Sequence, residues 1–160
     1  MPPTMAHLAF IVKRNRSKTR RKMKKTTLTT LIQEAESAQK NAHAPYSGFK
    51  VGAAVLSTSG TVHAGCNVEN TAYPLGQCAE ATAIGNMITE GGSRLDAVVI
   101  QSPTNEPCYP CGGCRQKIAE FADDSVPVIL VTRSGTTQQT TVGELLPHAF
   151  RYTHPTQKAG

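Results

Sequence analysis

Four side chains in two short segments offer this sequence its chemistry. Gln77-Cys78-Ala79-Glu80 and Pro110-Cys111-Gly112-Gly113-Cys114-Arg115-Gln116 each stand at the start of a predicted helix. Cys111 and Cys114 are three residues apart, so on a first helical turn both sulfurs face one way and can grip one ion. The free N–H groups and positive dipole end of a helix start lower a thiol's pKa and favour the thiolate that a metal needs. Cys78 supplies a third ligand of the same kind. Three protein ligands leave one tetrahedral position for water, the pattern of a catalytic zinc and not of a closed structural one. Glu80 lies two residues past a ligand, where its carboxylate can stand beside the metal without binding it and carry a proton between the attacking water and a substrate. A Cys-x-x-Cys pair alone also fits a zinc knuckle or a redox couple, with Glu80 facing solvent. Cys-Ala-Glu ahead of Pro-Cys-x-x-Cys favours the catalytic site.

The pattern of apolar residues predicts the scaffold that must hold these groups. Leu28, Leu31, Ile32, Ala35 and Ala38 share one face of a first helix ending near Asn41. Phe49 to Leu56 and Thr61 to Val68, joined by a Gly60-containing turn, predict a hairpin. A helix from Gln77 to Glu90 stops at Gly91-Gly92, and Leu95 to Gln101 is an interior strand. A Pro-rich loop leads to a helix from Cys111 to about Ala122, then a strand from Val126 to Thr132. An edge strand from Gln138 to Val142 and a last helix from Val142 to Ala149 complete the order. This alternation predicts an α/β fold, a mixed five-stranded sheet packed between helices in three layers.

Length and charge narrow the function classes. A chain of 160 residues with 39% hydrophobic residues is the size of one domain and buries a core without disulfides. Its five Cys are an odd number, two of them in a Cys-x-x-Cys pair, which points to a reducing compartment and a cytoplasmic protein. The longest apolar run, Leu8 to Val12, is too short to span a membrane, and the charges follow it, unlike a secretory signal. The net charge is +6, but nine of the 17 basic residues lie between Lys13 and Lys25 with no acid among them. The rest of the chain has eight basic against 11 acidic residues, a net of −3. The division expected is therefore a basic extension over 1–25, a catalytic domain over 26–152 and a C-terminal tail over 153–160. The extension has three readings: translation starting at Met23, a solvated tail, or a nucleic-acid-binding arm.

The two cysteine segments match the arrangement of zinc nucleobase deaminases, and other stretches extend the likeness. They are Tyr46-Ser-Gly-Phe-Lys-Val-Gly-Ala-Ala, Gly65-Cys-Asn-Val-Glu-Asn-Thr-Ala-Tyr-Pro-Leu-Gly and Glu144-Leu-Leu-Pro. From about Leu28 to Phe150 the chain resembles the cytidine deaminase family, in its compact type with three cysteine ligands. The resemblance implies hydrolytic deamination of cytidine and deoxycytidine to the uridines, with release of ammonia, in pyrimidine salvage. It implies one zinc per subunit on Cys78, Cys111 and Cys114, with Glu80 as proton shuttle. Asn67 and Glu69 would bind the ribose hydroxyls, with Asn70 beside them, and Phe49 would lie against the pyrimidine. Ala72, Tyr73 and Phe150 would reach a neighbouring subunit's site in a homotetramer. Without the family, an amide and a carboxylate at i and i+2 still face one side and suit vicinal hydroxyls. Asn67, Glu69 and Asn70 read equally well as ordinary loop residues, and Phe49 as core.

Where many relatives have Arg after Cys-Ala-Glu, this chain has Ala81. Three thiolates and Zn²⁺ sum to −1, so a compensating charge is expected from the helix N-termini and from Arg115. Cys66 reads as a small buried residue, and Cys108 as a rival to the three ligands. Two other functions compete: deamination of another aminopyrimidine or of cytosine in a nucleic acid, and a non-catalytic zinc-stabilised module. A carboxylate at Glu69 disfavours a phosphate there, and so disfavours nucleic acid. A small nucleoside, and no membrane, is the partner expected.

Overall fold

A computed structural model of the chain describes residues 23–152. Most of the basic extension, the Met23 start-site question and the 153–160 tail lie outside them. Helix α1 is Lys25–Lys40, so Lys25 belongs to the first element and not to the extension. The strands are β1 Gly52–Ser57, β2 Val62–Cys66, β3 Leu95–Gln101, β4 Pro127–Val131 and β5 Thr137–Thr141. Helices α2 Ala79–Thr89, α3 Gly112–Phe121 and α4 Val142–Leu145 lie between or after them. The five strands form one sheet in the order β2-β1-β3-β4-β5, in which β3 and β4 run parallel and every other pair is antiparallel.

Strand alternation splits the core into two layers. Val55, Val98, Ile100, Val128 and Leu130 point to the side covered by Ala83 and Met87 of α2, Ile118 of α3 and Leu145 of α4. Ala54, Ala97, Val99, Ile129 and Val131 point to the other side, against Leu31 and Ala35 of α1. Central strands buried on both faces need the near-continuous apolar runs that β3 and β4 carry. The polar β5, Thr-Gln-Gln-Thr-Thr, closes one edge. The expected three-layer α/β/α arrangement is the one observed.

Two elements differ most in extent from the sequence reading, while β2 and α2 are each trimmed by one or two residues at their ends. Strand β1 begins at Gly52 and not at Phe49, because the Asn67 side chain takes the hydrogen bonds of the segment before it, accepting from Val51 N at 2.8 Å and donating to Phe49 O at 2.9 Å. Helix α4 is one turn and does not run on to Ala149. Pro147 bars the residue before it from helical dihedrals, and Leu146 has φ −140° and ψ 76°. A capping box between Thr141 and Glu144 starts that turn.

Candidate metal and catalytic site

Helices α2 and α3 aim their N-termini at one point. Cys78 is the N-cap of α2, Cys111 the N-cap of α3, and Cys114 sits in the first turn of α3. Two close backbone approaches set α2 in place. A Cβ added to Gly65 would lie 2.3 Å from Ala83 N and 2.8 Å from Ala79 O, so β2 accepts the first turn of α2 only because residue 65 has no side chain. Ahead of α2, Val68 and Gln77 exchange both backbone hydrogen bonds, at 2.8 and 2.9 Å, which ties the residue before Cys78 to the segment carrying Asn67 and Glu69. The fully buried Pro110 fixes the approach to Cys111.

The three sulfurs lie within 4.8 Å of one another. Tetrahedral zinc with Zn–S of about 2.3 Å needs sulfurs about 3.8 Å apart, and Cys78 Sγ and Cys111 Sγ are 3.8 Å apart. This donor set fits zinc. A hydrogen bond with Cys114 is the largest influence on the Cys78 thiol and pulls its pKa down to about 6, against burial and the nearby Glu80 carboxylate. The same bond, with burial, pushes the Cys114 thiol far up. Cys108 stands outside the three-sulfur cluster, and burial pushes its pKa to about 11. Its rivalry with the three ligands ends on position, because its sulfur does not lie among theirs. Cys66 is half-buried, more open than expected, and all five thiols are free.

Glu80, in the first turn of α2, is 4% exposed. Burial raises its pKa, while its own backbone N–H, Cys114 and the Lys117 ammonium pull the other way. Lys117 also lowers Cys78. Sequence reasoning missed this cation, although it follows Cys114 by three residues on α3 and so shares its face. Arg115, expected to offset the thiolates, donates Nε–H to Pro110 O and Nη1–H to Leu145 O, both at 2.9 Å. It thereby braces the loop before Cys111 against the end of α4.

A hollow of ≈ 310 Å³ is lined by Tyr46, Ser47, Glu69, Asn70, Tyr73 and Gly76. Glu69 accepts from Tyr46 N at 2.9 Å, Ser47 N at 3.2 Å and the Ser47 hydroxyl. Chiefly through that hydroxyl, its pKa lies below the ordinary carboxylate range. A carboxylate has about four acceptor positions, so one remains for a ligand. Asn67 likewise keeps one N–H and one lone pair beyond its bonds to Phe49 and Val51. Asn70 Oδ1 accepts from Ala72 N at 2.8 Å and turns the chain into the short 3-10 turn Tyr73–Leu75. The rings of Tyr46 and Tyr73 meet edge to face with centroids 5.6 Å apart. Phe49 is 41% exposed, Tyr73 74% and Phe150 75%, which removes the core reading of Phe49. Ser47 was not singled out from sequence, although its place before Gly48 in a loop is typical of a side chain that binds backbone.

Comparison with known proteins bears on this geometry. Residues 25–130 match the model of the cytidine and deoxycytidylate deaminase zinc-binding region. A cytidine deaminase of Sporosarcina psychrophila is 46% identical over 120 residues, which are 75% of this chain and 88% of that protein. The crystal structure of cytidine deaminase from Burkholderia pseudomallei superposes with a TM-score of 0.73 at 41% identity, covering 76% of this chain and 98% of that one. The Mycobacterium tuberculosis cytidine deaminase structure does so with a TM-score of 0.68 at 35% identity, covering 78% and 98%.

Proposed function

The chain belongs to the cytidine and deoxycytidylate deaminase family, and on that premise we propose the residues through which it acts as a zinc-dependent hydrolase of cytidine and deoxycytidine. Cys78, Cys111 and Cys114 hold the metal, which when bound supplies a Lewis acid that makes water acidic enough to attack C4 of the base. Glu80 takes one proton of the attacking water and delivers it to the ring nitrogen, where it stays, and then carries the second proton, from the hydroxyl formed at C4, to the exocyclic amine, which departs as ammonia as the C4 carbonyl of a uridine forms. Burial suits the task, since a carboxyl with a raised pKa gives back the proton it has taken. Asn67 and Glu69 meet the sugar hydroxyls with the bonding capacity that their backbone contacts leave over, and Asn70 shapes the rim beside them. The exposed Phe49 ring faces the pyrimidine.

The observation that carries this reading is the convergence of three sulfurs with one buried carboxyl at two helix N-termini. Ala72, Tyr73 and Phe150 contact a neighbouring subunit's substrate in a homotetramer. Support comes from the exposure of Tyr73 and Phe150, each above 70%, because aromatic side chains so exposed favour a partner surface. A cytoplasmic location agrees with five free thiols. No helix among the described residues is long and apolar enough to cross a membrane. Arg115 supports the site through the two carbonyls it holds. Ultraviolet absorbance of zinc-loaded protein with cytidine, deoxycytidine, cytosine and cytidine monophosphate tests the substrate class. The two nucleosides are expected to be converted and the monophosphate to lag, because Glu69 repels an anion. Conversion of neither nucleoside ends the proposal.

A further inference from the structure

Helix α3 carries metal ligands at its start, and it also holds the segment that follows α4. After Pro147 the chain reverses at His148, whose φ of 57° lies in the left-handed region. Side chains rarely adopt that conformation, and it persists where surrounding contacts enforce it. Those contacts come from α3. Gln116 Nε2 donates to Phe150 O at 2.8 Å. Arg151 Nη1 donates to Ala119 O and, at 3.0 Å, to Ala122 O, while Nη2 donates to Asp124 Oδ1 at 2.9 Å. The last carbonyls of a helix have no partner within it, and its C-terminal end attracts a cation. Arg151 satisfies both needs with one planar fork.

Phe150 is therefore fixed at its carbonyl by Gln116 and through the next residue by Arg151, yet its ring is 75% exposed. An aromatic with a pinned backbone and a solvated ring is preorganised to meet something outside its own fold. Gln116 is two residues past Cys114, so the pin lies within one helical turn of the metal ligands. We propose that Gln116 and Arg151 are positioning residues, clamping residues 147–151 onto α3 so that Phe150 is held ready for the substrate site of a second copy. This rests on the reading of Phe150 as a contact to a neighbouring site. The clamp sets substrate affinity and leaves the chemical step alone, because Gln116 and Arg151 spend these hydrogen bonds on backbone carbonyls and Asp124 and none on Glu80 or the thiols.

Four variants of the full-length zinc-loaded protein test it: Phe150→Ala, Arg151→Met, Gln116→Leu and Arg151→Lys. Phe150→Ala and Arg151→Met are expected to raise KM for cytidine about tenfold with kcat within about twofold, zinc content and assembly size unchanged. Gln116→Leu gives a smaller rise in the same direction. Amide hydrogen exchange at 148–152 accelerates in Arg151→Met and Gln116→Leu while the first turns of α3 stay protected. Arg151→Lys recovers part of the affinity, since a lysine reaches one carbonyl but not all three acceptors. A KM raised by Phe150→Ala and unmoved by both clamp variants overturns the clamp and spares the reading of Phe150. An unchanged KM in Phe150→Ala overturns both. Loss of zinc or of the assembly in Arg151→Met, with a normal KM in Gln116→Leu, reduces Arg151 to a structural residue and also overturns the proposal.

Discussion

The thiol cluster and the hollow at Glu69 are built by opposite means. The cluster stands on two helix starts, with Glu80 and Cys114 buried and the backbone fixed by regular structure. The hollow stands on loops, and its shape is held by the side chains proposed to bind the sugar: Glu69 grips residues 46 and 47, and Asn67 grips 49 and 51. Chemistry placed on a rigid frame tolerates no displacement, because reacting atoms must sit within a fraction of an ångström. Recognition placed on side-chain-stitched loops makes each binding residue serve twice, as support and as ligand. Changes in the first region should therefore fall on kcat, and changes in the second on KM and local order together.

The largest expected effect tests the rigid region. Glu80→Gln keeps zinc and fold and lowers kcat by about three to four orders of magnitude, measured by absorbance and metal analysis. Activity near that of the unaltered protein would favour a non-catalytic zinc module. Next comes Gly65→Ala. Its new Cβ meets Ala83 N at 2.3 Å, so α2 must shift, costing about 1–3 kcal/mol of stability and on the order of a hundredfold in kcat. A melt and rate like those of the parent would mean that the cluster tolerates movement of α2.

Glu69→Gln then separates the regions. It is expected to raise KM about tenfold with kcat little changed, and to quicken amide exchange at 46–48, whereas a fall in kcat alone would erase the contrast. Arg115→Ala removes the brace between Pro110 O and Leu145 O, and is expected to lower turnover a few-fold while zinc content holds. Unchanged kinetics would remove Arg115 from the site.

The smallest effect is a pH dependence in the hollow. The folded pKa of Glu69 lies below its unfolded value of 4.5, so its support of the 46–47 loop is complete above that value and is lost as pH falls through the folded pKa. Exchange at residues 46–48 should rise in the parent as pH falls below the unfolded carboxyl value of 4.5 and through the lower folded pKa, and stay flat in Glu69→Gln. Equal profiles would mean that the loop is held by something else.

Much of this was legible in the residues. Apolar runs gave β3 its observed bounds and placed β4 within a residue, because central strands have no polar face to blur them. The ends that were misplaced, at β1 and α4, are those where a distant side chain or a following proline overrides local preference. The clustering of Cys78, Cys111 and Cys114 was legible because metal chemistry demands fixed residue types at fixed spacing. Ser47, Gln116, Lys117 and Arg151 were not, since Ser47, Gln116 and Arg151 reach partners 22 to 34 residues away in the chain, and Lys117 acts across the helix pair.

The sequence by itself determined the layered α/β class, the candidate trio of thiols and the confinement of the net positive charge to the first 25 residues, because periodicity, local spacing and composition encode them. Only the tertiary structure decided that Cys108 stands aside, that Arg115 spends its donors on carbonyls, and that the helix bearing Cys111 and Cys114 also holds the segment of Phe150. Those outcomes turn on which carbonyl, thiol or cation arrives from a distant segment, and no local pattern records that arrival.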